Sequence, residues 1–146
     1  MSTPNIATPV PAARRRFGGT LAILAGLAVN VVLGLGTDQI LHATGVYPPW
    51  GQSMANSLFA LATAYRIGFG VLGAYVTARL APDRPMWHAI ALGVVGVVVS
   101  TIGLVATWNA GPAMGPRWYP ILLVLVALPC SWLGATLWIR RRRSAR

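Results

Sequence analysis

The chain reads as an all-α, polytopic membrane protein built as a four-helix transmembrane bundle. Three observations predict this. Of 146 residues, 55% are hydrophobic and only 10% are charged, where a soluble domain averages about 25% charged. Four apolar runs, at residues 18–41, 54–80, 86–108 and 119–139, each reach the roughly 20 residues that cross a hydrocarbon core about 30 Å thick. The segments between them are short and hold the turn and interface residues VYPPWG, APDRP and AGPAMGPRWYP. Mean hydropathy is +0.62. The transmembrane domain is expected over residues 17–139, after a disordered basic segment at 1–16 and before a basic tail at 140–146.

The first run follows Arg14, Arg15 and Arg16. It exceeds the 7–15 residues of a signal-peptide core, and no clear small-x-small cleavage site follows it, so it reads as a retained anchor. Pro48 and Pro49 cannot continue its helix. Tyr47 and Trp50 bracket them, as interfacial aromatics do. The second run ends before Pro82. In the turn that follows, Asp83 is placed to cap the third helix and Pro85 to open it. The third run ends at Trp108, and the next loop brings Trp118 and Tyr119 to the other interface. The fourth carries Pro129 in mid-helix, which removes a backbone hydrogen bond and frees the Leu125 carbonyl for Arg66, Ser131 or water. With loops this short, consecutive helices are expected to be antiparallel neighbours.

The net charge is +10 and the chain has only two acidic residues, Asp38 and Asp83. Such a balance would suit nucleic acid, but its placement does not. Arg14 to Arg16, Arg79, Arg84, Arg140 to Arg143 and Arg146 fall on one side of the four spans, against Arg117 in the loops of the other. The positive-inside rule then predicts a multi-pass inner-membrane protein with N- and C-termini in the cytoplasm. Besides the lipid bilayer itself, the expected partners are anionic lipids at the basic termini, and a second copy of the chain or a membrane partner protein at the helix seams. Cys130 is the single cysteine and reads as a small packing residue. His42 and His88 sit at opposite faces, so neither a metal site nor a haem is expected, and no cofactor is.

Small and polar residues recur at helical spacing. Span one carries Gly26, Asn30, Gly34, Asp38 and His42, and span two Ala62, Arg66, Gly70, Gly73 and Thr77. Span three carries Gly93, Gly96, Ser100, Gly103 and Thr107, and span four Ala127, Ser131 and Gly134. Such seams let helix backbones approach closely in lipid. They predict a compact bundle with its polar atoms inside.

The stretch ATAYRIGFG places Arg66 near the middle of span two. A central arginine costs about 2.5–3.5 kcal/mol on insertion scales, so it faces the interior and finds a partner. Asp38 is the only acid in the spans. In one reading the two form a structural pair, with Asn30 as a second acceptor. In the other, Arg66 binds an anion or polar headgroup and Asp38 tunes it. A third has Arg66 snorkelling to an interface. Asn30, Ser100 and Ser131 lie near the same depth, and Asp38 is roughly 12 Å further along span one at 1.5 Å per residue. Together they outline a polar, outward-facing cavity floored by Arg66. His42, one turn beyond Asp38, reads either as an interfacial side chain or as a proton-linked partner of Asp38.

The segments TDQILHATGVYPPWG, ATAYRIGFGVLGAYVTARLAPDRPM and ATWNAGPAMGPRWYPILLVLVALPCSWLGA resemble those of small bacterial four-span membrane proteins that have no established activity. The resemblance covers most of residues 37–135. It implies a defined fold and no transferable mechanism. Small multidrug-resistance transporters resemble the chain in size and span number, but their buried Glu has no counterpart here. The sequence holds no Ser/His pair at one depth, no Cys pair, no HExxH and no paired carboxylates, so no enzyme is expected. Two function classes lead. One is a membrane protein that binds or transports a small polar or anionic ligand through Arg66, Asp38, Asn30, Ser100 and Ser131. The other is an accessory subunit whose Arg66–Asp38 pair is structural and whose seams dock a partner.

Overall fold

The computed structural model describes residues 12–111 and 114–145, with residues 12–17 as backbone alone. It contains four helices, α1 (Ala12–Ala43), α2 (Asn56–Leu80), α3 (Pro85–Thr107) and α4 (Trp118–Ser144). Each includes a stretch long and apolar enough to cross a membrane, of 26, 25, 23 and 27 residues in chain order. The fold is an all-α four-helix bundle of multi-pass membrane type. No more than 28% of any span's most apolar window is buried within the chain, which leaves the remaining faces for acyl chains.

Two helix ends differ from the sequence expectation. The helix α1 already begins at Ala12, so Arg14–Arg16 lie on it rather than in a disordered segment. The remainder of that segment, residues 1–11, lies outside the described residues, as does Arg146. At the other end, α4 continues past Ile139 through Arg140–Arg143 to Ser144. Its last turn therefore places arginines at a helix C-terminus, where cations are favoured by the backbone dipole. The start of α3 is also a correction. Arg84, not Asp83, is its N-cap, and no side chain caps it, while Pro85 opens the helix as expected. Arg84 adopts φ 39°, in the left-handed region that residues other than glycine rarely occupy.

Helix order in space is not simply order in sequence. The main packing partners are α2 with α4, α3 with α4, and α1 with α2. The α2–α3 pair, joined by the shortest loop, packs less, and α1 meets α3 only lightly. The bundle is dense at the end that carries Arg79, Arg84 and Arg140–Arg143, here termed the basic end. Its core joins Ala74 and Ala78 of α2, Ala89 and Leu92 of α3, and Ala135 of α4, with Ile23, Leu27, Met86 and Trp138 packed against them. Glycines bring the backbones together there. A Cβ at Gly73 would sit 2.7 Å from the Gly26 carbonyl, and one at Gly134 would sit 2.8 Å from the Ala74 Cβ. The α3 seam behaves differently. Gly93 abuts Ser131, but Gly103 has nothing within 4 Å of its Cβ position. Beyond Ser100 the small residues of α3 line no packed interface, and the bundle opens.

Candidate functional site

Away from the basic end, α1 and α2 are joined by an ion pair. Arg66 Nη2 lies 2.5 Å from Asp38 Oδ2. Tyr65 donates its hydroxyl hydrogen bond to Asp38 Oδ1. Both carboxylate oxygens are thus engaged, which is how a charge within a bilayer is kept. The Tyr65 oxygen is in turn 3.4 Å from the Tyr47 hydroxyl, which is also 3.3 Å from the Leu58 carbonyl. A polar chain therefore runs from the loop after α1 to the middle of α2. Tyr47 is 3% exposed. It is a buried member of this chain, not the interfacial aromatic that its position beside Pro48 implied. Tyr119, expected in an interfacial belt, instead lines the pocket that holds Asp38 and Arg66.

Arg66 stands between two cavities. One, of about 160 Å³, lies toward the opposite end from the basic cluster and is lined by Asp38, His42, Tyr47, Trp50, Tyr119 and Arg66, among others. The other, of about 280 Å³, lies at mid-span and receives Asn30, Ser100, Ser131, Cys130 and Arg66. The predicted site residues are thus divided between two chambers, and Arg66 is the one they share. The sequence stripe on α1 explains the division, because Asn30 and Asp38 are two turns apart on one face.

Arg66 engages Asp38 through one nitrogen, and its buried Nε has no partner among the described residues. A guanidinium carries five N–H donors, so its capacity to bind an acceptor is not exhausted. Its Nη1 faces Gly34, where a Cβ would lie 3.7 Å away. Several hydroxyls of the bundle bond the carbonyl one turn back, as Thr63 does to Phe59 at 2.9 Å and Thr136 to Trp132 at 2.8 Å. None of the described residues hydrogen-bonds to the side chains of Asn30, Ser100 or Ser131, which line the mid-span cavity.

His42 is held by the loop. Its Nδ1 lies 2.7 Å from the Pro48 carbonyl. A carbonyl only accepts, so Nδ1 carries the proton. The ring stacks on Trp50 with centroids 3.8 Å apart and meets Tyr47 edge-on at 5.3 Å. Asp38 is engaged by Tyr65 and Arg66, not by His42. Among the described residues no three His, Cys, Asp or Glu side chains converge as metal ligands would. Pro129 sits within an unbroken α4, and Arg66 donates to Asp38, not to the Leu125 carbonyl. Cys130 is buried and packs against Gly70, whose Cβ position is 3.4 Å from its own.

Sequence reasoning missed Tyr65, Tyr119 and the inward turn of Tyr47. One signal was present. Tyr65 directly precedes a mid-span arginine, and a phenol at that depth needs a polar partner. No protein-family model matches the chain, and neither a curated protein nor a solved structure is significantly similar to it.

Proposed function

We propose that this is a multi-pass inner-membrane protein that binds, and moves between its two chambers, a small polar or anionic ligand. The observation that carries this reading is the state of Arg66. It borders both cavities, it is tied to Asp38 through one nitrogen, and its buried Nε lacks a partner. An acceptor group entering the smaller chamber competes with Asp38 for the guanidinium. The ion pair is then both the floor of that chamber and the barrier to the next. Asn30, Ser100 and Ser131 offer hydrogen bonds beyond the barrier. The arginine distribution orients the chain with both termini cytoplasmic, so the smaller chamber faces outward. No step in this reading makes or breaks a covalent bond.

The test is a binding titration of purified protein in detergent with acetate, inorganic phosphate and chloride, read by thermal stabilisation and calorimetry. Saturable stabilisation by at least one of these anions, lost in Arg66→Gln, is expected. Flat responses from all three in a folded wild-type protein would remove this reading.

A second reading rests on its own observation. Asp38 is 13% exposed and satisfied on both oxygens by α2, as a purely architectural clasp between α1 and α2 would be. In that case the protein is an accessory subunit whose exposed faces meet a partner.

A further inference from the structure

The mid-span cavity has three properties that together name an occupant. Its body is apolar and lined by small residues. Leu27, Leu92, Leu123 and Val126 form walls, and Gly93 and Gly96 complete the lining where α3 packs closely on α4. A cavity of about 150 Å³ accepts a benzene-sized molecule, so one of about 280 Å³ takes a short alkyl chain. Second, it lies where helix packing is weakest. The helix α1 packs on α2 and only lightly on α3, while α3 packs on α4. Val31 and Leu35 on one lip and Val99 on the other are exposed, at the depth where acyl chains surround the bundle. Third, it has polar groups without protein partners. Arg66 Nε is buried and unbonded. Ser131, only 4% exposed, meets no hydrogen-bond partner among the described residues. Asn30 and Ser100, both half-buried, line the same cavity from two other helices. Buried polar groups at membrane depth require hydrogen-bond partners.

A water-soluble anion would leave the apolar walls unused, and a pure hydrocarbon would leave the polar groups unsatisfied. We propose that the cleft between α1 and the α3–α4 pair is a lateral site for a single-chain amphiphile with an anionic acceptor headgroup. The chain lies against Leu27, Leu92 and Val126, and the headgroup meets Arg66. The inference rests on reading Arg66 as an anion anchor, but it differs in the route of entry. The ligand arrives sideways from the bilayer, between Val31 and Val99, and does not pass the smaller chamber.

The experiment uses the full chain in nanodiscs of a zwitterionic lipid and decanoic acid with a diazirine at its far end. After photolysis, crosslinked peptides are mapped by mass spectrometry. Crosslinks concentrated on Leu27, Leu92 and Val126 support the proposal. Yield is expected to fall about tenfold or more when the charged hydrogen bond is removed by Arg66→Gln. Gly34→Leu, which adds a side chain where only Arg66 Nη1 is near, should block the cleft and lower the yield similarly while the protein stays folded. Unlabelled decanoate should compete, and methyl decanoate should not. Crosslinks spread over lipid-facing residues such as Val98 and Ile102, or a yield unchanged in Gly34→Leu, would overturn the site. Equal competition by the methyl ester would overturn the headgroup assignment. Acetate separates the two proposals. Stabilisation by acetate without decanoate crosslinks leaves the small-ligand reading standing and sinks the amphiphile site. No decanoate crosslinks together with flat responses to acetate, phosphate and chloride removes both.

Discussion

Arg66 Nη2 and Asp38 Oδ2 lie 2.5 Å apart and tie the middle of α2 to the last turns of α1. They form the only ion pair among the described residues. Removing one partner leaves the other charge uncompensated at membrane depth, which costs about 3–5 kcal/mol in buried pairs. Arg66→Leu and Asp38→Leu should therefore each destabilise the protein in detergent by about 3 kcal/mol. The double variant should recover much of that loss, since it leaves no orphaned charge. Thermal unfolding of the four proteins in one detergent measures the coupling. Additive losses would show that the pair contributes nothing as a pair.

The Tyr65 hydroxyl is the second support of the same carboxylate. Hydrogen bonds to a charged group are worth about 1.5–3 kcal/mol. Tyr65→Phe should lose close to the lower figure, because Arg66 still holds Asp38. Tyr47→Phe removes a longer and neutral contact and should cost about 1 kcal/mol or less. Chemical denaturation of both variants ranks them. The reverse order would mean that Tyr47 acts through packing, not through its hydroxyl.

Four helices and their approximate ends were legible in the chain, because crossing a bilayer demands long apolar runs and Pro48, Pro82 and Pro116 interrupt them. Seams of small residues at helical spacing were legible too, and Gly26 and Gly73, which the structure brings together, belong to them. Pairing with Asp38 was one of three readings of Arg66 that the sequence allowed, because Asp38 is the only acid in the spans. Helix rotation was not legible. The spans are apolar on most faces, so hydropathy does not say which way Tyr47 and Tyr119 turn. Both lie near helix ends, where aromatics ordinarily face the interface. The preference of α2 for α4 over α3 also left no mark in loop length. It depends on Gly134 fitting against Val71 and Ala74, a shape match visible only in three dimensions.

The glycines divide into two classes with opposite responses to alanine. At Gly134 an added Cβ meets Ala74 and the α2 backbone, which cannot yield without separating α2 from α4. Gly134→Ala should cost about 2 kcal/mol or more, as overpacking does. At Gly68 and Gly103 the Cβ position is open. There, alanine should stabilise by about 0.5–1 kcal/mol through its better helix propensity. Melting temperatures of the three variants test the division. A destabilised Gly103→Ala would show that a second copy or a partner packs on the open half of α3.

Orientation in the membrane is predicted from where the arginines lie. Arg79, Arg84 and Arg140–Arg143 are exposed at the basic end, and Arg117 is at the opposite one. The helix bundle itself is indifferent to which end faces the cytoplasm. Cationic flanks are favoured on the cytoplasmic side during insertion, so the distribution predicts cytoplasmic termini. Cys130 is the single cysteine and is 7% exposed, so Cys130→Ser gives a clean background for labelling. In that background Gln52→Cys, in the exposed loop after α1, should react with a membrane-impermeant maleimide on intact cells. Ala145→Cys, after α4, should react only once the cells are permeabilised. The opposite pattern would put the Asp38–Arg66 chamber on the cytoplasmic side. Its ligand would then be an intracellular anion, and Arg66 would guard an exit where an entrance is proposed.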